Sequence, residues 1–287
     1  RTDLKVTITG TLERDDFRVE KLHFQSMPGL YVTANLYLPK NATARVPAVL
    51  YLCGHSLVKI DNISYGNKTH YHFHAVWFAR HGYACLVLDS LQLGEIEGIH
   101  HGTYRYGMWW WNNRGYTPAG VEAWNCMRAV DYLQSRPEID GERIGVTGRS
   151  GGGAYSWWIA AIDPRIKAAV PVAGITDLQN HVIDGCVEGH CDCMYIVNTY
   201  RWDYPMVAAL VAPRALLIDN GDHDPIFPED GVRRVYETAR KIYKLYGAED
   251  KIGIFITNAA HDDIQPIQEA TFRWLDRHLM GKEPDTY

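Results

Sequence analysis

Residues 144–161 constrain this chain more than any other stretch. Ile144, Gly145, Val146 and Thr147 read as a short strand. Gly148-Arg149-Ser150-Gly151-Gly152 follows, and an apolar helix runs from Ala154 to Ala161. A strand that turns straight into a helix crowds its own backbone. Side chains at the flanking positions would strike the neighbouring strand and helix, so glycine is the residue that fits. Ser150 is then held in a strained conformation that lifts its hydroxyl out of the sheet. It comes to rest at a helix N-terminus, where developing negative charge is favoured. The plainer alternative is a serine that caps the helix in a glycine-rich turn.

The rest of the chain supplies a matching scaffold. Residues 19–25 and 30–38 alternate apolar and polar around Met27-Pro28-Gly29, which predicts an antiparallel opening hairpin. Residues 48–53, 84–89, 144–147, 168–172, 215–218 and 252–256 are continuous apolar runs, the mark of strands covered on both faces. Helical patterns fill 74–80, 120–134, 154–162, 231–245 and 267–279; in the second, Ala123, Cys126, Met127, Val130 and Leu133 recur at three- and four-residue steps. The expected fold is therefore α/β, a mostly parallel sheet of about eight strands with helices on both faces. No repeat or linker divides it, so residues 1–287 read as one domain. Two insertions, about 91–117 and 176–205, are expected to form lid or substrate loops.

A serine hydroxyl needs a base to take its proton, and the base needs an acid to orient it. In such sheets these groups sit on loops after strand C-termini, and where the serine stands on a strand-to-helix turn of this kind the chain order is serine, acid, histidine. His261 follows the last strand through a short turn and precedes the final helix. His278, inside that helix, is set aside. The loop after 215–218 offers Asp224, directly before Pro225, and Asp222 as the alternative; either could instead cap the next helix. Two backbone N–H groups are candidates to hold an oxyanion: Gly151, after the serine, and His55, in the loop after 48–53.

Bulk properties narrow the partners. The 287 residues are 46% hydrophobic and 22% charged with a net charge of −5, ordinary for a globular enzyme. No basic cluster suggests nucleic acid, and no apolar run approaches the roughly 20 residues of a membrane helix. The start at Arg1 suggests a processed or trimmed N-terminus; the expectation is a secreted or periplasmic protein, with a cytoplasmic one as the alternative. Six cysteines are too few for a disulfide scaffold. Cys186, Cys191 and Cys193 cluster in the second insertion. Their spacing is too tight for a zinc knuckle, so a disulfide of Cys186 with Cys191 or Cys193, or a lid packed by free thiols, is expected. His70, His72 and His74 alternate and His100 and His101 adjoin, but no acidic ligand pattern accompanies them, and no metal is expected. Tyr104, Tyr106, Trp109, Trp110, Trp111 and Tyr116 crowd the first insertion, and Trp202 lies in the second. Trp110 and Trp202 are candidates to stack on a sugar, against the alternative that these rings merely pack the insertions down. Arg149 is a candidate to bind a uronate carboxylate, against a structural ion pair behind the serine.

The runs RIGVTGRSGGGAYSWWIAA, LCGHS, DNGDHDPIFPEDGV and GHCDCMYIVNTYRWDYP resemble bacterial α/β-hydrolases called acetyl xylan esterase-like, related to the dienelactone hydrolase group. The resemblance runs from about Leu30 to the C-terminus. It implies an α/β-hydrolase fold and a serine esterase without metal or organic cofactor. It puts Ser150, Asp224 and His261 in the catalytic positions and makes a carbohydrate ester the substrate. Relatives remove acetyl, methyl or glucuronoyl groups. The glucuronoyl esterases carry arginine after the nucleophile, whereas here Arg149 precedes it. The expectation is an enzyme removing acetyl groups from plant polysaccharide. The alternatives are a methyl or glucuronoyl esterase on uronates and an inactive sugar-binding homologue.

Overall fold

The computed structural model describes residues 1–187, 193–194 and 197–283, leaving out the Tyr104 side chain. Nine strands form its main sheet: β1 (Thr7–Glu13), β2 (Phe17–Met27), β3 (Leu30–Pro39), β4 (Val46–Leu52), β5 (Ala84–Leu88), β6 (Ile139–Arg149), β7 (Ile166–Val172), β8 (Ala215–Gly221) and β9 (Ile252–Thr257). Their spatial order is β1-β2-β3-β5-β4-β6-β7-β8-β9. β5, β4, β6, β7, β8 and β9 run parallel. β1, β2 and β3 pair antiparallel, and β3 joins the parallel part antiparallel to β5.

The expected hairpin is β2–β3, turning at Pro28-Gly29 with Gly29 at φ 83°, a backbone that favours glycine. The ninth strand, β1, was not expected. Six of its seven residues are exposed, so no buried period marks it, and it holds the sheet edge through β2 alone.

Among the described residues, five helices cover the sheet: α1 (His72–Arg80), α2 (Pro118–Ser135), α3 (Gly151–Ile162), α4 (Glu229–Leu245) and α5 (Gln265–Leu275). One core packs α2, α3 and α4 on one face, with Leu133, Trp157 and Tyr243 fully buried among Leu36, Leu50 and Leu86. The other packs α1 and α5, through Phe78, Phe272 and Leu275, against Val49, Val87 and Val170. This two-sided cover is why the central strands are apolar along their whole length: every residue of β4 and β5 is buried.

The first insertion contains two short helices, Gly102–Arg105 and Trp110–Asn113. Its root is tied down by buried charge. Asp89 accepts from the Lys68 ammonium at 2.7 Å and its backbone N–H at 2.9 Å, and Glu122 on α2 accepts the Leu91 N–H at 3.0 Å. The second insertion opens with a wide helical turn, Gln179–Ile183, and returns through the short helix Tyr204–Ala208.

Candidate active site

The site forms where four parallel strands end. β6 runs into Ser150 and α3, β4 into residues 53–56, β8 into the loop carrying Asp224, and β9 into the turn carrying His261. Ser150 sits at φ 60°, ψ −121°, a backbone that L-residues rarely adopt. The flanking glycines explain how the turn fits. A Cβ on Gly148 would lie 2.2 Å from the Leu52 carbonyl oxygen, and one on Gly152 would lie 1.9 Å from the same atom. The β4 backbone thus presses into the bend from below, and the Ser150 hydroxyl is pushed out above the sheet.

The structure brings Ser150, His261 and Asp224 together. His261 Nε2 lies 3.0 Å from Ser150 Oγ, and His261 Nδ1 lies 2.7 Å from Asp224 Oδ2. Asp224 is 2% exposed, and its other oxygen accepts the N–H groups of Ile226 at 2.8 Å and Phe227 at 3.0 Å. The Phe227 ring lies over His261, with centroids 5.9 Å apart. An N–H on Nδ1 satisfies the carboxylate and leaves a lone pair on Nε2 facing the serine. The alternative acid, Asp222, turns to the surface. It pairs with His223 and accepts the Ala259 N–H at 3.3 Å.

These groups open on a cleft of about 430 Å³. Ser150 and Gly151 form its floor, His55, His100, His101 and Arg105 a polar wall, and Met194 and Phe227 part of an apolar one. The His55 ring covers Gly151: its Nε2 stands 3.0 Å from where a Cβ on that glycine would be. The Gly151 N–H is in the first turn of α3, where helix donors lack intrahelical partners.

The three expected substrate residues lie elsewhere. Arg149 is not among the residues lining the cleft. It points back under the serine, where it donates to the His261 carbonyl oxygen and borders a small cavity with Tyr51, His74 and Asp263. Burial pushes the Asp263 carboxyl up, but the hydrogen bond from His74 and the Arg149 charge outweigh it, and it sits below the usual carboxylate range. Trp110 is half exposed in a separate groove with Met27, Leu30, Trp111 and Tyr116. Trp202 packs beside Tyr200 with centroids 5.9 Å apart and does not line the cleft.

Sequence reasoning missed two features. Arg105 lines the cleft, and His55 joins His100 and His101: one ring nitrogen from each lies within 4.8 Å of the other two. Adjacent histidines gave half of that signal; the third comes from a loop 45 residues away. His70, His72 and His74 do not converge. His74 bonds Asp263 at 2.7 Å, and the His72 Nδ1 lies 2.9 Å from the Thr69 carbonyl oxygen. Cys186 carries a free thiol, so the disulfide expected with Cys191 or Cys193 is not made. Cys193 instead packs in the apolar core beside Met194, and Cys191 lies outside the described residues.

Among known proteins, the chain is 27% identical over 199 residues to YtaP of Bacillus subtilis (strain 168), described no more closely than as a hydrolase; the match covers 69% of this chain and 66% of that one. It is 51% identical over 45 residues to the acetyl esterase Axe7A of Xylanibacter ruminicola, covering 16% of this chain and 10% of that one. The chain thus spans two thirds or less of the length of these curated relatives. In structure it resembles a glucuronoyl esterase from Solibacter usitatus, with a TM-score of 0.74 at 17% identity over 97% of this chain and 86% of that one. The model of the Abhydrolase family matches residues 2–255. The chain belongs to the Abhydrolase family, and its sheet is that of an α/β-hydrolase.

Proposed function

We propose that this protein is a serine esterase that removes acetyl groups from plant polysaccharide or oligosaccharide through an acyl-enzyme. The observation that carries the reading is the relay at the cleft floor: Ser150 Oγ 3.0 Å from His261 Nε2, and His261 Nδ1 2.7 Å from a buried Asp224. In this reading Ser150 attacks the ester carbonyl while His261 takes its proton and Asp224 holds the ring in the required tautomer. The backbone N–H groups of Gly151 and His55 receive the oxyanion. His261 then protonates the departing sugar hydroxyl. The same histidine activates the water that clears the acyl group. Acetyl is favoured by the likeness to the acetyl esterase Axe7A around a shared short segment.

The test is Ser150→Ala. It should abolish p-nitrophenyl acetate hydrolysis while the circular dichroism spectrum stays native; retained turnover would end the proposal. Released acetate and methanol, measured across a panel of plant polysaccharides, then assign the ester. A second reading, an esterase acting on uronates, is favoured by Arg105, a cation on the cleft wall. Methanol without acetate would select it.

A further inference from the structure

We infer that His55, His100 and His101 form a binding site for a zinc-class divalent cation beside Ser150. Three imidazoles from two distant segments converge there. The Nε2 atoms of His55 and His100 are 2.7 Å apart, and the ring centroids are separated by 4.5 Å (His55–His100), 5.3 Å (His55–His101) and 4.4 Å (His100–His101). One potential ligand nitrogen from each ring lies within 4.8 Å of the others. Four-coordinate zinc binds imidazole nitrogen at about 2.0–2.1 Å, which sets ligand nitrogens about 3.3 Å apart. The closest pair therefore opens by about 0.6 Å, and no pair has to close by more than about 1.5 Å. Side-chain rotations cover both changes, because the three rings stand at the cleft surface, two half-buried and one exposed.

The backbone favours the cluster. Consecutive side chains in extended chain point to opposite sides. His101 instead adopts φ 60°, ψ 20°, which sets its ring beside that of His100. The donor set chooses the metal. Three imidazoles without a carboxylate suit zinc, copper or nickel and not magnesium or calcium, which prefer oxygen. Three protein ligands leave a fourth position open, as in sites where water or a substrate oxygen completes the sphere. All three rings line the cleft that holds Ser150, so that position opens toward it.

Binding of Zn²⁺ to the metal-stripped, full chain tests the site, and the readout does not depend on esterase turnover. Calorimetry should give one Zn²⁺ per chain and no Mg²⁺ binding. His100→Ala and His101→Ala should each weaken Zn²⁺ about tenfold or more, and His72→Ala, outside the cluster, should leave it unchanged. Zinc-edge anomalous density from soaked crystals of the native protein should place the ion about 2.0–2.1 Å from the three ring nitrogens. That measurement decides the matter even where a variant fails to fold. Undiminished binding by either variant, or an ion seated elsewhere, such as at the Cys186 thiol, would overturn the inference.

Discussion

Asp224→Asn isolates the orienting role proposed for the acid, because the surrounding backbone dictates how an amide must sit there. Asp224 Oδ1 accepts two N–H groups, from Ile226 at 2.8 Å and Phe227 at 3.0 Å, and Oδ2 faces His261 Nδ1 at 2.7 Å. Asparagine has one acceptor oxygen. Turning its NH₂ toward the two backbone donors would set N–H against N–H in a buried pocket, so the oxygen takes that side. The NH₂ then faces Nδ1, which must accept. The ring proton moves to Nε2, the atom 3.0 Å from Ser150 Oγ, and the base loses the lone pair it needs. The wrong tautomer in a relay of this kind costs about 10⁴ in kcat, or about 5 kcal/mol of barrier. Initial rates of p-nitrophenyl acetate hydrolysis at saturating substrate measure it, with Asp222→Asn as the control of equal charge. Asp222 pairs with His223 at the surface, so that variant should keep its rate to within about twofold. Asp224→Asn retaining more than about a tenth of native kcat would refute the reasoning, as would an equal loss in Asp222→Asn.

Two further outcomes follow from groups outside the relay. Burial raises the Glu122 carboxyl from 4.5 to about 7, so its contribution to stability is complete below its ordinary pKa and is lost as pH rises through about 7. Glu122→Gln keeps an acceptor for the Leu91 N–H and cannot ionise; urea unfolding should show it gaining about 2 kcal/mol on the native chain between about pH 5 and about pH 8, and a pH-independent difference would refute the account. Arg149→Ala removes a charged donor from the His261 carbonyl, worth about 1.5–3 kcal/mol. It should slow neutral and uronate esters alike, and a KM rise confined to acidic substrates would return Arg149 to the cleft.

How much of this was legible in the sequence depends on whether a feature leaves a local trace. The parallel strands did, because two-sided burial keeps polar residues out of β4 and β5. The positions of Ser150, Asp224 and His261 did, because each follows a strand end in a fixed chain order. β1 did not: an exposed edge strand is held by backbone hydrogen bonds, which any sequence can make, and TITGTLE buries no face. Pro225 favours Asp224 over Asp222 in the sequence, but it does not show how either carboxylate is held. What distinguishes them is that two backbone donors hold the Asp224 carboxylate against His261, under the Phe227 ring, and only the folded loop reveals that.

Arg149 carries a more general point. The sequence leaves it two places, the cleft or an ion pair behind the serine, and adjacency to Ser150 along a strand argues for the second. Successive side chains leave a strand on opposite faces, and Ser150 follows β6 directly, so a serine lifted above the sheet leaves its neighbour beneath it. There Arg149 meets the His261 carbonyl, with Asp263 and His74 around the same small cavity. The consequence is a division of labour between two faces of one turn: the upper face presents the hydroxyl, and the lower face ties the histidine-bearing loop to the strand that carries the serine. The 3.0 Å separation of Ser150 and His261 is then held from below by a charged hydrogen bond, as well as from the side by Asp224. A lysine at position 149 could supply the charge but not the planar fork that reaches the carbonyl beside Asp263. Arg149→Lys should therefore recover only part of what Arg149→Ala loses in kcat, and full recovery would show that the charge alone suffices.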